Sequence, residues 1–234
     1  MNERRRTTTR WIAGWKGLGI AAGAAAWIGM GIEARADDSA TLKPILAEDF
    51  SSVAVGSMPD GFLILNDNNF QVKEEDGNRF LHLPGAPLDD YGVMFGSGAS
   101  ENWGAQARIH ATRQGRRFPA FGVSVNGVAG YRVQVAPAKR AIEIFKGDEV
   151  KASVEYAWES GTWTLIRVQV KKTGEGRWLV QGKAWPDGSK EPADWLVTWE
   201  ETETPIAGRA AIWGKPFAGT EIRFDDLKVL PVGK

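Results

Sequence analysis

The sequence of 234 residues contains no cysteine. That excludes a disulfide framework, a thiol nucleophile, a cysteine-ligated metal and a lipid-modified cysteine. Histidine is nearly as scarce. His82 and His110 stand far apart with no acidic cluster of recognisable spacing beside them, which gives transition-metal catalysis little to build on. The chain has no Gly-x-Ser-x-Gly nucleophile turn and no Gly-x-x-x-x-Gly-Lys-Ser/Thr phosphate loop. The Gly17–Gly23 stretch imitates a dinucleotide loop, but it falls in the leader described next. After residue 36 no basic run exceeds two residues, as in Arg116-Arg117 or Lys171-Lys172, so a nucleic-acid partner is not expected. Long helical stripes are missing too: past Ala36 no window of helical length carries apolar residues at a 3.6-residue period.

The N-terminus reads as an address. Arg4, Arg5, Arg6 and Arg10 form a basic region, Gly17–Ile32 is uncharged and rich in Ala and Gly, and Ala34-Arg35-Ala36 fits a small-x-small cleavage site. Residues 1–36 are therefore expected to be a signal peptide, and the mature chain to be exported to the periplasm or beyond the cell, with no membrane contact after cleavage. An uncleaved anchor would use the same stretch, although Lys16 interrupts it. Residues 1–36 carry six of the 29 Lys and Arg and two of the 29 Asp and Glu, which leaves 23 basic against 27 acidic residues and a net charge of −4 on the remainder. Those 198 residues suffice for one domain with a sizeable core.

Residues 37–46 form a polar lead-in. Over 47–232 the dominant period is two, the signature of half-buried strands. Ala105, Ala107, Ile109 and Ala111 alternate with polar residues. So do Phe121, Val123 and Val125; Tyr131, Val133 and Val135; Ile142 and Ile144; and Ile166, Val168 and Val170. Ala210 and Ile212 precede a last strand over 221–230. Asn126-Gly127, Lys146-Gly147-Asp148, Thr173–Gly176 and Asp187-Gly188 supply turns between runs. Glu191–Trp199 has room for a helical turn, limited by Pro192. The expected architecture is all-β: one domain of two antiparallel sheets packed face to face.

Several local patterns converge on a known superfamily. Glu48-Asp49-Phe50 opens the domain, Gly130-Tyr131-Arg132-Val133-Gln134-Val135 lies in its middle, Gly161-Thr162-Trp163 leads into Ile166–Val170, and Phe224–Val229 closes it. With the segment Lys183–Trp195, in this order, they resemble the concanavalin A-like lectin/glucanase superfamily, and within it secreted bacterial laminin-G-like and 3-keto-disaccharide hydrolase-like domains. The resemblance implies a jelly-roll β-sandwich with one concave and one convex sheet, first and last strands side by side, and in many relatives carbohydrate on the concave face. It also implies a structural Ca²⁺ where the termini meet, with Asp49 and Asp226 at the matching positions. Asp225 and Asp226 could equally face water or accept hydrogen bonds from a neighbouring loop.

The family-16 glucanase signature, Glu-x-Asp-x-(x)-Glu on one strand, is absent. Glu200–Glu203 is the nearest string and reads as a solvated loop, so no catalytic residue is assigned. Arg108, Ser124, Arg132, Gln134, Glu143 and Lys183 stand opposite the apolar positions of their strands, with Trp185 on the side of Lys183. If these strands are neighbours, the seven form a groove suited to a poly- or oligosaccharide: paired hydrogen bonds to hydroxyls and a ring for a pyranose face. The same pattern describes a solvated sheet face in which Arg132 pairs with Glu143. Three functions remain in view. They are an exported non-catalytic carbohydrate-binding or surface-interaction module, a glycoside-processing enzyme of the 3-keto-disaccharide hydrolase type, and a structural domain without sugar.

Overall fold

A computed structural model of the protein describes residues 43–66, 70–85 and 89–233. The expected signal segment 1–36, and all but the end of the 37–46 lead-in, lie outside the described residues. In chain order the strands are β1 (Leu46–Glu48), β2 (Leu63–Leu65), β3 (Gln71–Glu75), β4 (Asn78–Leu83), β5 (Tyr91–Ala99), β6 (Trp103–Ala111) and β7 (Ala120–Val125). They continue with β8 (Tyr131–Ala136), β9 (Ala141–Lys146), β10 (Glu149–Glu155), β11 (Trp163–Gly174), β12 (Arg177–Pro186), β13 (Val197–Glu201), β14 (Gly208–Lys215) and β15 (Ile222–Pro231). Among the described residues the one helical element is a 3₁₀ turn, Pro137–Lys139, closed by Arg140 in the left-handed region.

The strands form two antiparallel sheets. One has eight strands in the order β13-β12-β11-β6-β15-β4-β3, with β1 also on β15; the other has seven, β10-β9-β8-β7-β14-β5-β2. β1 pairs Leu46 with Val229, so the first and last strands lie side by side. A bulge between Asp225 and Lys228 divides β15. Ahead of it β15 pairs with β4, and beyond it with β1.

Alternation explains the core. Ala105, Ala107 and Ile109 from β6 and Ile166, Val168 and Val170 from β11 face Val123, Val133, Ile144 and Ile212 from the other sheet, all fully buried. Each large aliphatic so buried contributes roughly 1.5–3 kcal/mol, and with no cysteine this burial is the main cohesive term. Asn126 in the β7–β8 turn is buried as well. Its side-chain amide donates to the carbonyls of Ala99, Ser100 and Ile206 at 3.3, 2.8 and 2.6 Å and so ties three loops together.

Two local expectations change. The helical turn over Glu191–Trp199 is absent: the chain there is irregular until β13 begins at Val197. The Glu200–Glu203 string is not wholly solvated. Glu201 is buried, accepts the Tyr131 hydroxyl at 2.7 Å and pairs with Lys146 at 2.8 Å. Burial pushes its carboxyl up, but the bonds from Lys146, the Glu203 amide and Tyr131 outweigh that and leave it below the usual carboxylate range.

Candidate functional site

On the outer face of the seven-stranded sheet, antiparallel register aligns Phe145 with Arg132, Arg132 with Ser124, and Ser124 with Ala211. The next row runs Glu143, Gln134, Gly122, Trp213, Gly92. These side chains point outward because Val123, Val133, Ile144 and Ile212 between them point inward. Four of the seven expected sugar contacts, Ser124, Arg132, Gln134 and Glu143, are thus brought together on three adjacent strands.

Trp213 joins them. The alternation that turns Ala210 and Ile212 inward turns Trp213 outward, which was the available signal for it. Its indole donates to Ser124 Oγ at 2.7 Å. The ring lies across Gly92, where a Cβ would come within 2.9 Å of it, so a larger residue there would displace it. The Arg132 guanidinium packs near two rings, 4.8 Å from the Phe145 centroid and 5.2 Å from that of Trp213. Arg132 is only 8 % exposed. Among the described residues its side chain makes no hydrogen bond or ion pair, and its Nε is a buried donor without a partner. Burial lowers the affinity of the guanidinium for its proton, partly offset by Asp90 and Asp148.

Arg132, Ser124 and Trp213 line a depression of about 270 Å³ together with Asn66, Asp90 and Asp148. Ligand pockets start at roughly 300 Å³, so the depression admits one ring-sized group. Asp90 contributes a buried Oδ1 without a partner, while its Oδ2 takes Lys215 at 2.5 Å. Glu143 does not pair with Arg132. Register sets it beside Gln134, and Lys139 takes both its oxygens at 3.0 and 3.2 Å.

The other three expected contacts, Arg108, Lys183 and Trp185, lie on the outer face of the eight-stranded sheet, so the seven do not share one surface. Alternation fixes which side of its own sheet a residue faces but not which sheet holds the strand. Lys183 and Trp185 are buried there. After the Asp187-Gly188 turn the chain folds back over β12. Lys183 Nζ meets Glu191 at 2.8 Å and the Pro192 carbonyl at 3.1 Å, and lies 4.4 Å from the Trp195 ring centroid. Arg167 covers Trp185 from 5.9 Å.

Asp49 and Asp226, the expected calcium ligands, do reach one depression, shared with Asn78, Arg79, Arg108 and Asp225. The residues present do not fit a divalent cation. The Arg108 guanidinium already holds Asp225 at 2.6 Å, Asp226 at 2.9 Å and Asp187 at 3.0 Å, and it packs over Trp163 at 4.3 Å. Asp49 Oδ1 is taken by the Ser51 amide and hydroxyl at 3.0 and 2.6 Å. Among the described residues no group of three or more His, Asp or Glu is placed to hold a metal. Burial raises the Asp225 carboxyl above its ordinary value, and bonds from Asn78 and Arg108 bring it only part of the way back.

Neither a protein-family model nor a curated protein matches the chain in sequence. Solved structures match in shape. A Bacillus subtilis protein of galectin-like fold is 11% identical, with 82% of this chain and 100% of that one covered and a TM-score of 0.56. The lumenal domain of VIP36 in its Ca²⁺/Man-bound form is 10% identical over 81% of this chain and 90% of that one, TM-score 0.51. A glycoside hydrolase family protein from Mycobacterium thermorestibile is 13% identical over 79% and 99%, TM-score 0.51. At such identities the likeness is one of fold: a two-sheet antiparallel jelly-roll sandwich.

Proposed function

We propose that the protein is an exported, non-catalytic carbohydrate-binding module whose site is the depression around Arg132. One observation carries this reading: a buried guanidinium nitrogen, Arg132 Nε, and a buried carboxylate oxygen, Asp90 Oδ1, are both without partners among the described residues, and both residues line the same ring-sized depression. Unpaired buried donors and acceptors are costly, and a sugar, whose hydroxyls donate and accept together, satisfies both. The sugar-bound state of VIP36, a neighbour in fold, is consistent with it. So is the expected export.

Binding without hydrolysis is favoured by how the local acids are used. Glycoside hydrolysis takes a pair of carboxyl groups across the scissile bond. Here the carboxylates that line the depression are Asp90, engaged by Lys215, and Asp148, exposed on the rim, while Glu143 is engaged by Lys139 outside that lining. No described tryptophan is among the exposed residues, so recognition rests on a recessed polar pocket and not on an open stacking platform.

A glycan array with the purified protein tests the reading, together with a reducing-end assay on whatever binds. Binding to a defined glycan is expected, with no sugar released. Asp90→Ala should weaken it about tenfold, the worth of one hydrogen bond near 1.4 kcal/mol. It should lower stability by no more than about 1 kcal/mol, since the Lys215 pair is part-exposed. Gln181→Ala, on the opposite sheet, should leave binding intact. A blank array sinks the proposal, and released sugar converts the module into an enzyme.

A further inference from the structure

We infer that the depression selects a sugar that carries an oxyanion, as a uronic acid or a sugar sulfate does, with Arg132 as its counter-ion. This rests on the carbohydrate-binding reading of the same pocket.

The argument is one of elimination among buried charges. The other buried charged residues have their partners: Asp225 has Arg108, Glu201 has Lys146, Glu143 has Lys139, Lys183 and Arg167 share Glu191, and His82 meets Glu221. Arg132 alone among them has none within the described residues. Burying an unpaired charge is strongly unfavourable unless an opposite charge arrives. The centroids of two aromatic rings, Phe145 and Trp213, lie 4.8 and 5.2 Å from the Arg132 guanidinium carbon, and the rings offer no hydrogen-bond acceptor oxygen. The Arg132 Nε is an unpartnered donor and the residue lines the depression, and guanidinium N–H edges make in-plane paired bonds to a carboxylate or sulfate.

The nearby acids do not take that role. Asp90 is already neutralised through Oδ2 by Lys215. Its free Oδ1 is an acceptor for a hydroxyl next to the anionic group on the same ring. Asp148 is exposed on the rim, where solvent screens its charge. A ring that offers an oxyanion to Arg132 and a neighbouring hydroxyl to Asp90 uses both unpartnered groups at once.

Matched pairs of ligands test the inference by calorimetry: oligogalacturonate against its methyl ester, and a sulfated galactan against its desulfated form. The charged member of at least one pair should bind about tenfold or more tightly, and which pair responds tells carboxylate from sulfate. Arg132→Gln, which keeps an N–H donor but loses the charge, should erase that preference. Arg132→Lys keeps the charge without the fork and should retain a weaker one, so a Gln variant that failed to fold would still leave a decisive comparison. Equal affinity for both members of each pair overturns the inference, as does a preference that survives Arg132→Gln. Binding of neutral glycans alone, lost with Asp90→Ala, would remove the oxyanion and leave the carbohydrate module standing. No binding to any glycan removes both.

Discussion

Arg108 and Arg132 both project from outer faces of the sandwich against aromatic rings, and they differ in what surrounds the guanidinium. Arg108 is ion-paired with Asp187, Asp225 and Asp226, whereas Arg132 faces a depression with no carboxylate in bonding range. The first arrangement is structural. Asp225 is 1 % exposed and carries most of the energy, because Asp187 and Asp226 are part-exposed and screened. Arg108→Ala leaves Asp225 buried with Asn78 as its remaining side-chain donor, and it should lower stability by about 3 kcal/mol, measured by chemical denaturation. Arg108→Lys should recover only part, since a point charge cannot fork to three carboxylates. Wild-type protein should melt at the same temperature in millimolar calcium and in chelator. A rise with calcium would mean that a cation, and not Arg108, holds the two ends of the fold. The sequence carried Asp49 and Asp226 to the right corner of the molecule. Arg108 was legible as outward-facing but not as their neighbour, because β6 meets β15 across more than a hundred residues of chain.

At the scale of the strand, alternation was a sufficient guide. Each run with period two in the sequence, from Ala105–Ala111 to Ile166–Val170, is a strand with those residues inward, and the Gly-containing turns fall between strands. What alternation does not carry is the contact across the sandwich. Gly182 in β12 shows it: a Cβ there would lie 2.6 and 2.8 Å from the methyls of Val133 in β8 and 3.1 Å from Val197. The glycine thus sits where the two sheets approach closely around a branched side chain. Gly182→Ala should destabilise by roughly 1–3 kcal/mol through overpacking. The same substitution in a Val133→Ala background should cost less, since the smaller side chain makes room for the added methyl. Urea midpoints of the four proteins give the coupling. Purely additive effects would show that the strain is relieved elsewhere, by movement of β12 as a whole. Trp213 belongs to this scale too, because its outward direction follows from Ala210 and Ile212, while its place beside Arg132 needs the β14–β7–β8 order.

Over the whole molecule, the two outer faces divide the work. On that of the eight-stranded sheet the buried charges are partnered by neighbouring side chains, with Arg108 over Trp163 and against Asp225 beside the depression at Asp49 and Asp226, Lys183 under Glu191 and Trp195, and His82 against Glu221. That of the seven-stranded sheet keeps the depression at Arg132. The jelly roll itself was readable from strand period, turn spacing and motif order. Which strands share a sheet was not, since that is decided by long-range pairings such as β6 with β11 and β15. The two histidines of the eight-stranded sheet make stability depend on pH. Burial foremost, then Lys73 for His82 and Arg223 for His110, lowers the affinity of both histidines for a proton. In the unfolded chain histidine titrates near pH 6.5. Above that value both states are neutral and the full stability is present. As pH falls the unfolded chain takes the protons first, so stability declines from about pH 6.5 downward through the folded values. Glu201 and Glu221, whose carboxyls are held low, act in the same direction further down, beginning near the unfolded value of about 4.3. Asp225, raised by burial, acts the opposite way: its contribution is lost as pH rises through its folded value. Melting temperatures should therefore be flat from about pH 8 to 7 and fall from about 6.5 to 5, with His82→Gln and His110→Gln each flattening that fall. A curve unchanged down to about pH 5 would mean that both imidazoles accept protons in place, the face opening enough to hydrate them without loss of fold.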